Sequence, residues 1–363
     1  MKVGVVGAGI IGLAAAEALT RRGAVVTVFD RSRPGAGQSG GLTRIFRHLH
    51  RSDEQAALAV EARRAWRALE ERSGRRLVGT EGVVVGGGDL DAALERLRRV
   101  GAPAELIDAR RVERLLPILG PRTAPAVLDV DGGAIRVRRA LECLEGLLAP
   151  GALTRQEVFG VSTGGAGASI EATGGSHRFD HVLVAAGAET ARFAADLGID
   201  ISERRGVHPR LMFDVTDGRA GLPCYLDRSA AHGETAYAGP VGSLPRYVVG
   251  LSAGETLPLD ARATTLSGGE DLGDLYARTR AYVRRAMPGL DPAPVGFRVC
   301  HLTALAGDPD AFGVWDRGAI TVFAGHNVMK FAPLIGECVA RRIVDGEPGT
   351  ALTRFRGPES PVG

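Results

Sequence analysis

Lysine is almost absent from this chain of 363 residues. Arginine supplies 43 of its 45 basic side chains, and Lys2 and Lys330 are the two exceptions. The two residue types bind anions differently, because arginine offers a planar fork of donors and lysine a compact point charge. In a sequence that uses arginine almost everywhere, the internal Lys330 therefore needs an explanation.

Cysteine is scarce as well, with only four residues: Cys143, Cys224, Cys300 and Cys338. They form no Cys-x-x-Cys pair and no dense cluster. This spacing argues against a disulfide framework or a zinc site. We therefore expect no metal centre and a reduced, cytoplasmic location.

Long hydrophobic runs are missing too. No stretch reaches the roughly 18 to 20 apolar residues that a membrane span requires, so no membrane partner is expected. The 42 acidic side chains nearly balance the basic ones, and the net charge of +3 gives no reason to expect nucleic acid as a partner. The length suggests two domains, at about 150 residues per domain.

The chain begins with a pattern typical of nucleotide-binding proteins. Val3 to Val6 is predicted to be a strand, a Gly-x-Gly-x-x-Gly turn follows, and a helix then extends to Arg22. The next predicted strand ends at Asp30, eighteen positions after Gly12, close to the spacing of about 20 found in dinucleotide-binding units. Together these features predict a strand–helix–strand unit that binds a dinucleotide.

Each part of this unit has a chemical reason. Gly7 and Gly9 allow a tight turn and close approach of a pyrophosphate, and Gly12 lets the helix pack on the sheet. The helix N-terminus offers free N–H groups to the anion. Asp30 would accept hydrogen bonds from ribose hydroxyls and disfavour a 2′-phosphate, which leaves NAD or FAD as the cofactor.

The rest of the chain alternates helices and strands without an internal repeat. Ser52 and Gln55 form a capping-box pattern before a helix over Asp53–Ser73. Further predicted helices cover Leu90–Val100, Ile135–Leu148, Leu272–Arg285 and Ala332–Val344. The strand Phe179–Ala186 is apolar enough for a buried parallel sheet. The pattern predicts an α/β protein with interleaved domains.

Four segments point to a particular family. The first is a Gly/Ser-rich loop followed by Thr-Arg-Ile-Phe-Arg-His at residues 43–48. Ala185–Ala188, Arg298–Thr303 and Met329–Glu337 follow in the matching order. The chain thereby resembles, over essentially its whole length, the monomeric sarcosine oxidase and N-methyltryptophan oxidase family of the D-amino-acid-oxidase superfamily. The resemblance selects FAD as the cofactor.

The resemblance also implies an architecture like that of p-hydroxybenzoate hydroxylase, in which a Rossmann-like FAD-binding domain is interleaved with an antiparallel-sheet substrate domain. The expected FAD-binding domain covers residues 1–78, 136–205 and 300–352. The expected substrate domain covers 79–135 and 206–299, and 353–363 form a C-terminal tail. We expect a monomer or a small homo-oligomer.

The family pattern assigns roles to particular residues. Cys300 matches the cysteine that carries the flavin through a thioether, a bond that needs a thiolate, which nearby cations favour. Arg47 and Lys330 match the residues that bind the substrate carboxylate, and Arg44 matches the arginine over the flavin. Tyr237 matches a tyrosine of the substrate pocket. Arg44, Lys330 and Tyr237 are the predicted catalytic residues.

The cofactor-binding set expected from the dinucleotide pattern and the resemblance is larger. It comprises Gly7, Gly9, Ile10, Ile11, Gly12, Asp30, Arg31, Ser39, Thr43, Arg44, Val158, Ala186, Gly187, Cys300 and Lys330.

The chain departs from the family at several positions. Val248 stands where the family has its oxygen-activating lysine, and Arg246 is a candidate substitute. Gly40 and Ser252 each replace a histidine of the family, and Leu302 replaces an aromatic residue. These changes rewrite the substrate pocket, so sarcosine is not the expected substrate.

The expected activity is FAD-dependent oxidation of a secondary amine, or of an N-substituted or cyclic amino acid, to the imine. The substrate partner is thus a small amine or amino acid, and O2 is the expected acceptor, giving H2O2. One alternative is a flavin dehydrogenase or primary amino-acid oxidase of a biosynthetic pathway. A second is a non-catalytic FAD-binding subunit of a complex.

Overall fold

The computed structural model describes residues 1–121, 124–252, 257–258, 269–306 and 310–346. The expected tail at 353–363 lies outside these ranges. The helices are α1 Ile10–Arg21, α2 Asp53–Ser73, α3 Leu90–Arg99, α4 Ala109–Leu115, α5 Val137–Gly146, α6 Thr190–Asp196, α7 Gly269–Ala286 and α8 Ala332–Asp345.

The strands of the first half are β1 Lys2–Val6, β2 Val25–Asp30, β3 Thr43–Phe46, β4 Val83–Gly86, β5 Ala104–Ile107, β6 Ala126–Asp129, β7 Gly133–Arg136, β8 Leu153–Arg155, β9 Val158–Gly164 and β10 Gly167–Ala172. Those of the second half are β11 Gly175–Phe179, β12 His181–Val184, β13 Glu203–Asp214, β14 Cys224–Asp227, β15 Ala236–Pro240, β16 Arg246–Leu251, β17 Leu257–Pro258, β18 Gly296–Leu305, β19 Phe312–Arg317 and β20 Ile320–Gly325.

The first sheet has the order β19-β20-β12-β1-β2-β8 and is parallel except for β19. Helices α1, α2, α5 and α8 cover one face, and α6 with the β9–β11 meander covers the other. Strand β1 lies between β2 and β12, and the sheet extends from it through β2 to one side and through β12 to the other. The strand order therefore reverses direction at β1. Ligands bind at the carboxyl ends of parallel strands at such a switch point.

The second sheet has the order β17-β13-β16-β15-β14-β4-β6-β5, and β18 pairs with most of β13 along the opposite edge of that strand. Its apolar face packs against α7, with Leu211 and Phe213 of β13 and Val249 of β16 in the shared core. Because side chains alternate along a strand, His208 and Arg210 of β13 point to the opposite face. That face is directed towards the carboxyl edge of the first sheet.

The two sheets take their strands from interleaved parts of the chain, which confirms the expected mixed α/β fold. The predicted boundaries at 205/206 and 299/300 fall inside β13 and β18, which pair with each other from Glu203–Leu305 to Met212–Gly296. These boundaries therefore cut through a continuous strand pair, and Cys300 belongs to the antiparallel sheet. In the described ranges, no helix is long and apolar enough to cross a membrane.

Helix α2 has the predicted bounds. The Ser52 side chain accepts a hydrogen bond from the Gln55 N–H at 3.2 Å, and Gly74 ends the helix in the left-handed conformation with φ +64°. These are the capping arrangements expected of a serine N-cap and a C-terminal glycine. The local sequence was sufficient to determine this helix.

The predicted helix Ile135–Leu148 is wrong at its start. Ile135 and Arg136 belong to β7, which pairs antiparallel with β3 so that Ile135 lies opposite Arg44 and Arg136 opposite Thr43. Pairing with a strand that is distant in sequence overrides the local helical pattern. The same pairing holds the backbone of Arg44 in place.

Helices α1 and α8 pack against each other through a close backbone contact. A substitution at this contact tests how tightly the two helices pack. A Cβ atom on Gly336 of α8 would lie 2.5 Å from the backbone carbon of Ala14 in α1. We expect Gly336→Ala to destabilise the protein by about 1–3 kcal/mol through overpacking. Gly273 of α7, where a Cβ meets nothing within 4 Å, is the matched control, because Gly273→Ala there should stabilise by roughly 0.5–1 kcal/mol. Urea unfolding of both variants measures the difference, and equal effects would contradict the packing argument.

Candidate active site

A cavity of about 2050 Å³ lies between the carboxyl edge of the parallel sheet and the polar face of the antiparallel sheet. Most of the predicted site residues line it. They are Gly7, Gly9, Ile10, Ile11, Asp30, Arg31, Ser39, Arg44, Arg47, Ala186, Gly187, Tyr237, Cys300 and Lys330. Segments that are far apart in the chain therefore meet at one cavity.

Glycine is required at the first turn of this cavity. Gly7 has φ +107°, and a Cβ there would lie 2.5 Å from the carbonyl oxygen of Ala185. A Cβ on Gly12 would lie 1.9 Å from the carbonyl oxygen of Gly7. The strand, the turn and helix α1 can approach each other this closely only without side chains, and the N-terminus of α1 is thereby directed into the cavity.

Asp30 and Ser39 hold the loops around this turn. The two carboxylate oxygens of Asp30 accept hydrogen bonds from the Ala8 and Ser32 N–H groups, each at 2.8 Å. The Ser39 hydroxyl accepts from the N–H of Ile10 at 2.9 Å. A glycine cradle, a helix N-terminus and a carboxylate at the end of β2 together fit the pyrophosphate and ribose of a dinucleotide such as FAD.

Three predicted cofactor contacts do not line the cavity. Gly12 packs under the turn, and Val158 is buried in the core with Val6 and Phe29. Thr43 is buried, and its hydroxyl has no hydrogen-bond partner. A cofactor role for these residues stays a prediction.

Arg44 is held over the cavity by carbonyl groups. Its guanidinium donates to the carbonyl oxygens of Thr43 at 2.9 Å and Gly40 at 2.7 Å. Burial, and then the charge of Arg210, lowers the pKa of Arg44 to about 10. Arg44 therefore stays cationic at neutral pH, and no acidic side chain of the described residues neutralises it.

Cys300 differs from the other three cysteines. It is buried in β18, lines the cavity, and its sulfur lies 4.0 Å from Nη2 of Arg44. Cys143 and Cys338 are packed in the core between helices, and Cys224 is packed under the antiparallel sheet. Burial raises the pKa of the Cys224 thiol well above its ordinary value.

Arg47 and Lys330 meet at one wall of the cavity, although they are far apart in sequence. Lys330 is 4% exposed and lies in a short 3-10 turn before α8, where the Trp66 indole donates to its carbonyl oxygen at 2.7 Å. Burial, and then the charge of Arg47, lowers the pKa of Lys330 to about 7. Burial also lowers the pKa of Arg47, whose Nε donates to the Leu49 carbonyl. The two cations are close enough to repel each other.

Sequence reasoning missed one acid beside these cations. Asp310 lines the cavity and accepts a hydrogen bond from Asn327 Nδ2 at 2.7 Å. Burial opposes its charge, yet Lys330 and the hydrogen bond from Asn327 lower the pKa of Asp310. Asn327 has φ +55°, an unusual conformation for a non-glycine residue. One negative charge therefore partly offsets the two positive charges.

Tyr237 contacts a second residue that sequence reasoning missed. Its hydroxyl accepts a hydrogen bond from Nε of Arg210 at 3.1 Å, and the guanidinium lies 4.9 Å from the ring centroid. Tyr237 pairs with Gly250 across the strands, and a Cβ on Gly250 would lie 2.4 Å from the Tyr237 hydroxyl. The side chain of Tyr237 on β15 therefore passes over Gly250 of β16 and reaches Arg210 on β13.

Three histidines of the cavity, His50, His208 and His326, are neutral at pH 7. Burial, and then the charge of Arg210, lowers the pKa of His208 to about 3, and burial lowers that of His326 to about 4. Burial and then Lys330 lower the pKa of His50 well below its ordinary value. The Nε2 atoms of His50 and His208 are buried and have no hydrogen-bond partner among the described residues. Such orphaned polar atoms are expected where a ligand completes the site.

A signal for Arg210 was present in the sequence. Along β13, the polar residues His208 and Arg210 alternate with the apolar residues Val207, Leu211 and Phe213. This alternation predicts a strand with one polar face. It does not say that the polar face lines a closed cavity rather than solvent.

The structure also places the positions that depart from the family pattern. Val248 is outside the cavity lining, and Arg246 pairs with Asp214 at 2.9 Å and does not line the cavity either. Ser252 does line it. A Cβ on Gly40 would lie 2.2 Å from Nη2 of Arg298, so an arginine occupies the space beside this glycine.

The chain matches one family of known proteins. The family model described as FAD dependent oxidoreductase matches residues 2–342. No protein with a curated function matches the sequence.

Solved structures share the fold. NikD, an unusual amino acid oxidase essential for nikkomycin biosynthesis, has a TM-score of 0.85 at 23% identity, covering 99% of this chain and 98% of that chain. Glycine oxidase from Geobacillus kaustophilus has a TM-score of 0.76 at 19% identity, covering 94% of each chain. Iminodiacetate oxidase from Chelativorans sp. BNC1 has a TM-score of 0.74 at 22% identity, covering 99% and 100%. The chain belongs to the FAD-dependent oxidoreductase family, as its glycine cradle and cavity indicate.

Proposed function

We propose that this enzyme oxidises the C–N bond of a secondary amine, or of an N-substituted or cyclic amino acid, to the imine, with O2 as acceptor and H2O2 as product. The observation that carries the proposal is that two cations, Arg47 and Lys330, lie close together at the wall of the cavity. Three similar structures are described as oxidases of amino acids or of iminodiacetate, which supports the same class of substrate.

Two adjacent buried cations are unfavourable without an anion, because burial penalises each charge and the charges repel. Asp310 offsets one of them. The remaining positive charge suits one carboxylate, which Arg47 can bind with two parallel hydrogen bonds and Lys330 as a point charge. A substrate held in this way is positioned for reaction by its carboxylate.

Bound FAD supplies the acceptor for the hydride equivalent. The residues that hold it are Gly7 and Gly9 with the N-terminus of α1 at the pyrophosphate, and Asp30 at the ribose. Arg44 is proposed to supply positive charge that favours the anionic reduced flavin. Lys330 sits before the N-terminus of α8, so its charge adds to the helix dipole at that edge of the cavity.

A flavin dehydrogenase is the second candidate, and Val248 favours it. A cation near the reacting edge of the flavin stabilises the negative charge that develops on oxygen. Val248 supplies none, and Arg246 is paired with Asp214 outside the cavity. Slow reaction with O2 would therefore distinguish a dehydrogenase from an oxidase.

The test is reduction of the purified flavoprotein by a panel of secondary amines and N-methyl or cyclic amino acids, without oxygen, in a stopped-flow instrument. We expect bleaching of the flavin by amino acids that carry a carboxylate, and little bleaching by their carboxamides. Mixing the reduced enzyme with air then gives the rate of reoxidation. No bleaching by any member of the panel would contradict the proposal and favour a non-catalytic FAD-binding subunit.

Lys330 makes carboxylate binding dependent on pH. A lysine with a pKa of about 7 is charged below that pH and neutral above it. The Kd of benzoate, a carboxylate without an amine, should therefore rise up to about tenfold between pH 6 and pH 9. Flavin absorbance changes measure the Kd.

Lys330→Arg is the matched variant for this measurement, because arginine stays charged over the whole range. The rise in Kd should disappear in that variant. An identical rise in both proteins would show that another group is responsible.

We propose further that Cys300 joins the flavin through a thioether. The sulfur would form a bond to a methyl carbon of the flavin in place of a C–H bond, and the two electrons released would pass through the flavin to O2. The buried sulfur of Cys300 lines the cavity near Arg44, as such a bond requires. Acid precipitation should leave the yellow colour with the wild-type polypeptide and release it from Cys300→Ser. Cys143→Ser, which changes a cysteine of the helical core, should keep the colour. A colourless wild-type pellet from flavin-loaded protein would end this proposal.

A further inference from the structure

Arg210 is a partly buried cation that the cofactor cradle and the carboxylate-binding pair leave unused. It lies on the cavity face of β13, opposite Arg298 of β18 and two residues from His208, which is opposite Cys300. Among the described residues, these neighbours in the sheet include no acidic side chain. An inference drawn from it rests on the proposed function, because it concerns the substrate of the same cavity.

No carboxylate of the described residues lies within ion-pair distance of Arg210. The groups that act on its charge are Tyr237 and Cys300, and its one side-chain hydrogen bond goes from Nε to the Tyr237 hydroxyl. A partly buried charge without a counter-ion is a favourable site for an anionic ligand. The arrangement therefore favours an anion from outside the chain.

The other charges of the cavity do not supply this anion. Asp310 acts on Lys330 and Arg47, not on Arg210. The cradle for the pyrophosphate is at the N-terminus of α1, on the parallel sheet. An amino acid with a single carboxylate, bound by Arg47 and Lys330, would leave Arg210 without a partner.

We propose that the substrate is an amino dicarboxylate whose second carboxylate is bound by Arg210 and Tyr237. Because Tyr237 engages Nε, the two terminal nitrogens of Arg210 remain to form a bidentate pair with a carboxylate. The Tyr237 hydroxyl accepts from Arg210 and can donate its own proton to the same anion. Gly250 makes this arrangement possible by leaving room for the tyrosine.

The entrance of the cavity supports the proposal. Arg51 and Arg228 line the cavity and are exposed, and neither forms an ion pair within the described part of the chain. Unpaired cations at an entrance attract anionic ligands and raise their association rate. A ligand with two negative charges gains more from this field than a ligand with one.

The experiment compares acids with their isosteric amides. N-Methylaspartate is paired with N-methylasparagine and N-methylglutamate with N-methylglutamine, each as both enantiomers, in anaerobic flavin reduction. Both members of a pair keep the α-carboxylate, so the contribution of Arg47 and Lys330 cancels. For at least one pair, we expect the acid to be favoured about tenfold or more in the second-order rate constant of reduction.

Arg210→Gln should bring the ratio of the acid and amide rate constants close to one, whereas Arg210→Lys should retain part of the preference. Arg246→Gln is the matched control, because Arg246 is on β16 but is paired with Asp214 outside the cavity, and it should keep the full preference. The comparison of acid and amide in the wild-type enzyme needs no variant to fold.

Three results would overturn the proposal. If acids and amides reduce the wild-type flavin equally, the second carboxylate has no binding site, although the proposed oxidation stands. If Arg210→Gln keeps the preference and slows only reoxidation by O2, Arg210 serves the oxygen reaction instead. If neither these amino acids nor the wider amine panel reduce the flavin, the proposed function itself fails, and this inference fails with it.

Discussion

Close backbone contact around helix α1 positions both ends of the active site. On one side, Gly12 packs against the carbonyl of Gly7 and directs the helix N-terminus at the cofactor cavity. On the other side, Gly336 of α8 packs against the backbone of Ala14. Since Lys330 immediately precedes α8, the same packing that builds the cradle also places the lysine. A side chain at either glycine would separate these elements.

The second constraint is electrostatic. Arg44, Arg47, Arg210 and Lys330 bring positive charge to a cavity that has Asp310 as a nearby acid, and the histidines around them stay neutral because burial and these cations depress their pKa values. Such a cavity attracts anions and is stabilised by them. Arginine would stay charged at this position, whereas Lys330 has a lowered pKa and can change its charge near neutral pH. This difference gives a reason for a lysine here in a chain that otherwise uses arginine.

Features that depend on neighbouring residues could be predicted from the sequence. The glycine turn, the helix α2 with its serine cap and glycine end, and the strand before Asp30 follow from local rules of backbone conformation. Features that depend on distant partners could not. Ile135 is predicted to be helical but pairs with Arg44 in a strand, and the sequence gives Arg210 no role because alternation along a strand does not show which surface its polar face meets.

The sequence by itself determined the dinucleotide-binding unit and, through its resemblance to a family, the cofactor class and the cations Arg44, Arg47 and Lys330. Local spacing and residue chemistry are sufficient for the dinucleotide-binding unit, and the resemblance alone implies the cofactor class and the cations. Tertiary structure alone decided which charges meet and which are neutralised. It pairs Arg246 with Asp214 away from the cavity and leaves Arg210 inside it beside Tyr237, because strand register and burial, not residue type, decide whether a charge has a partner.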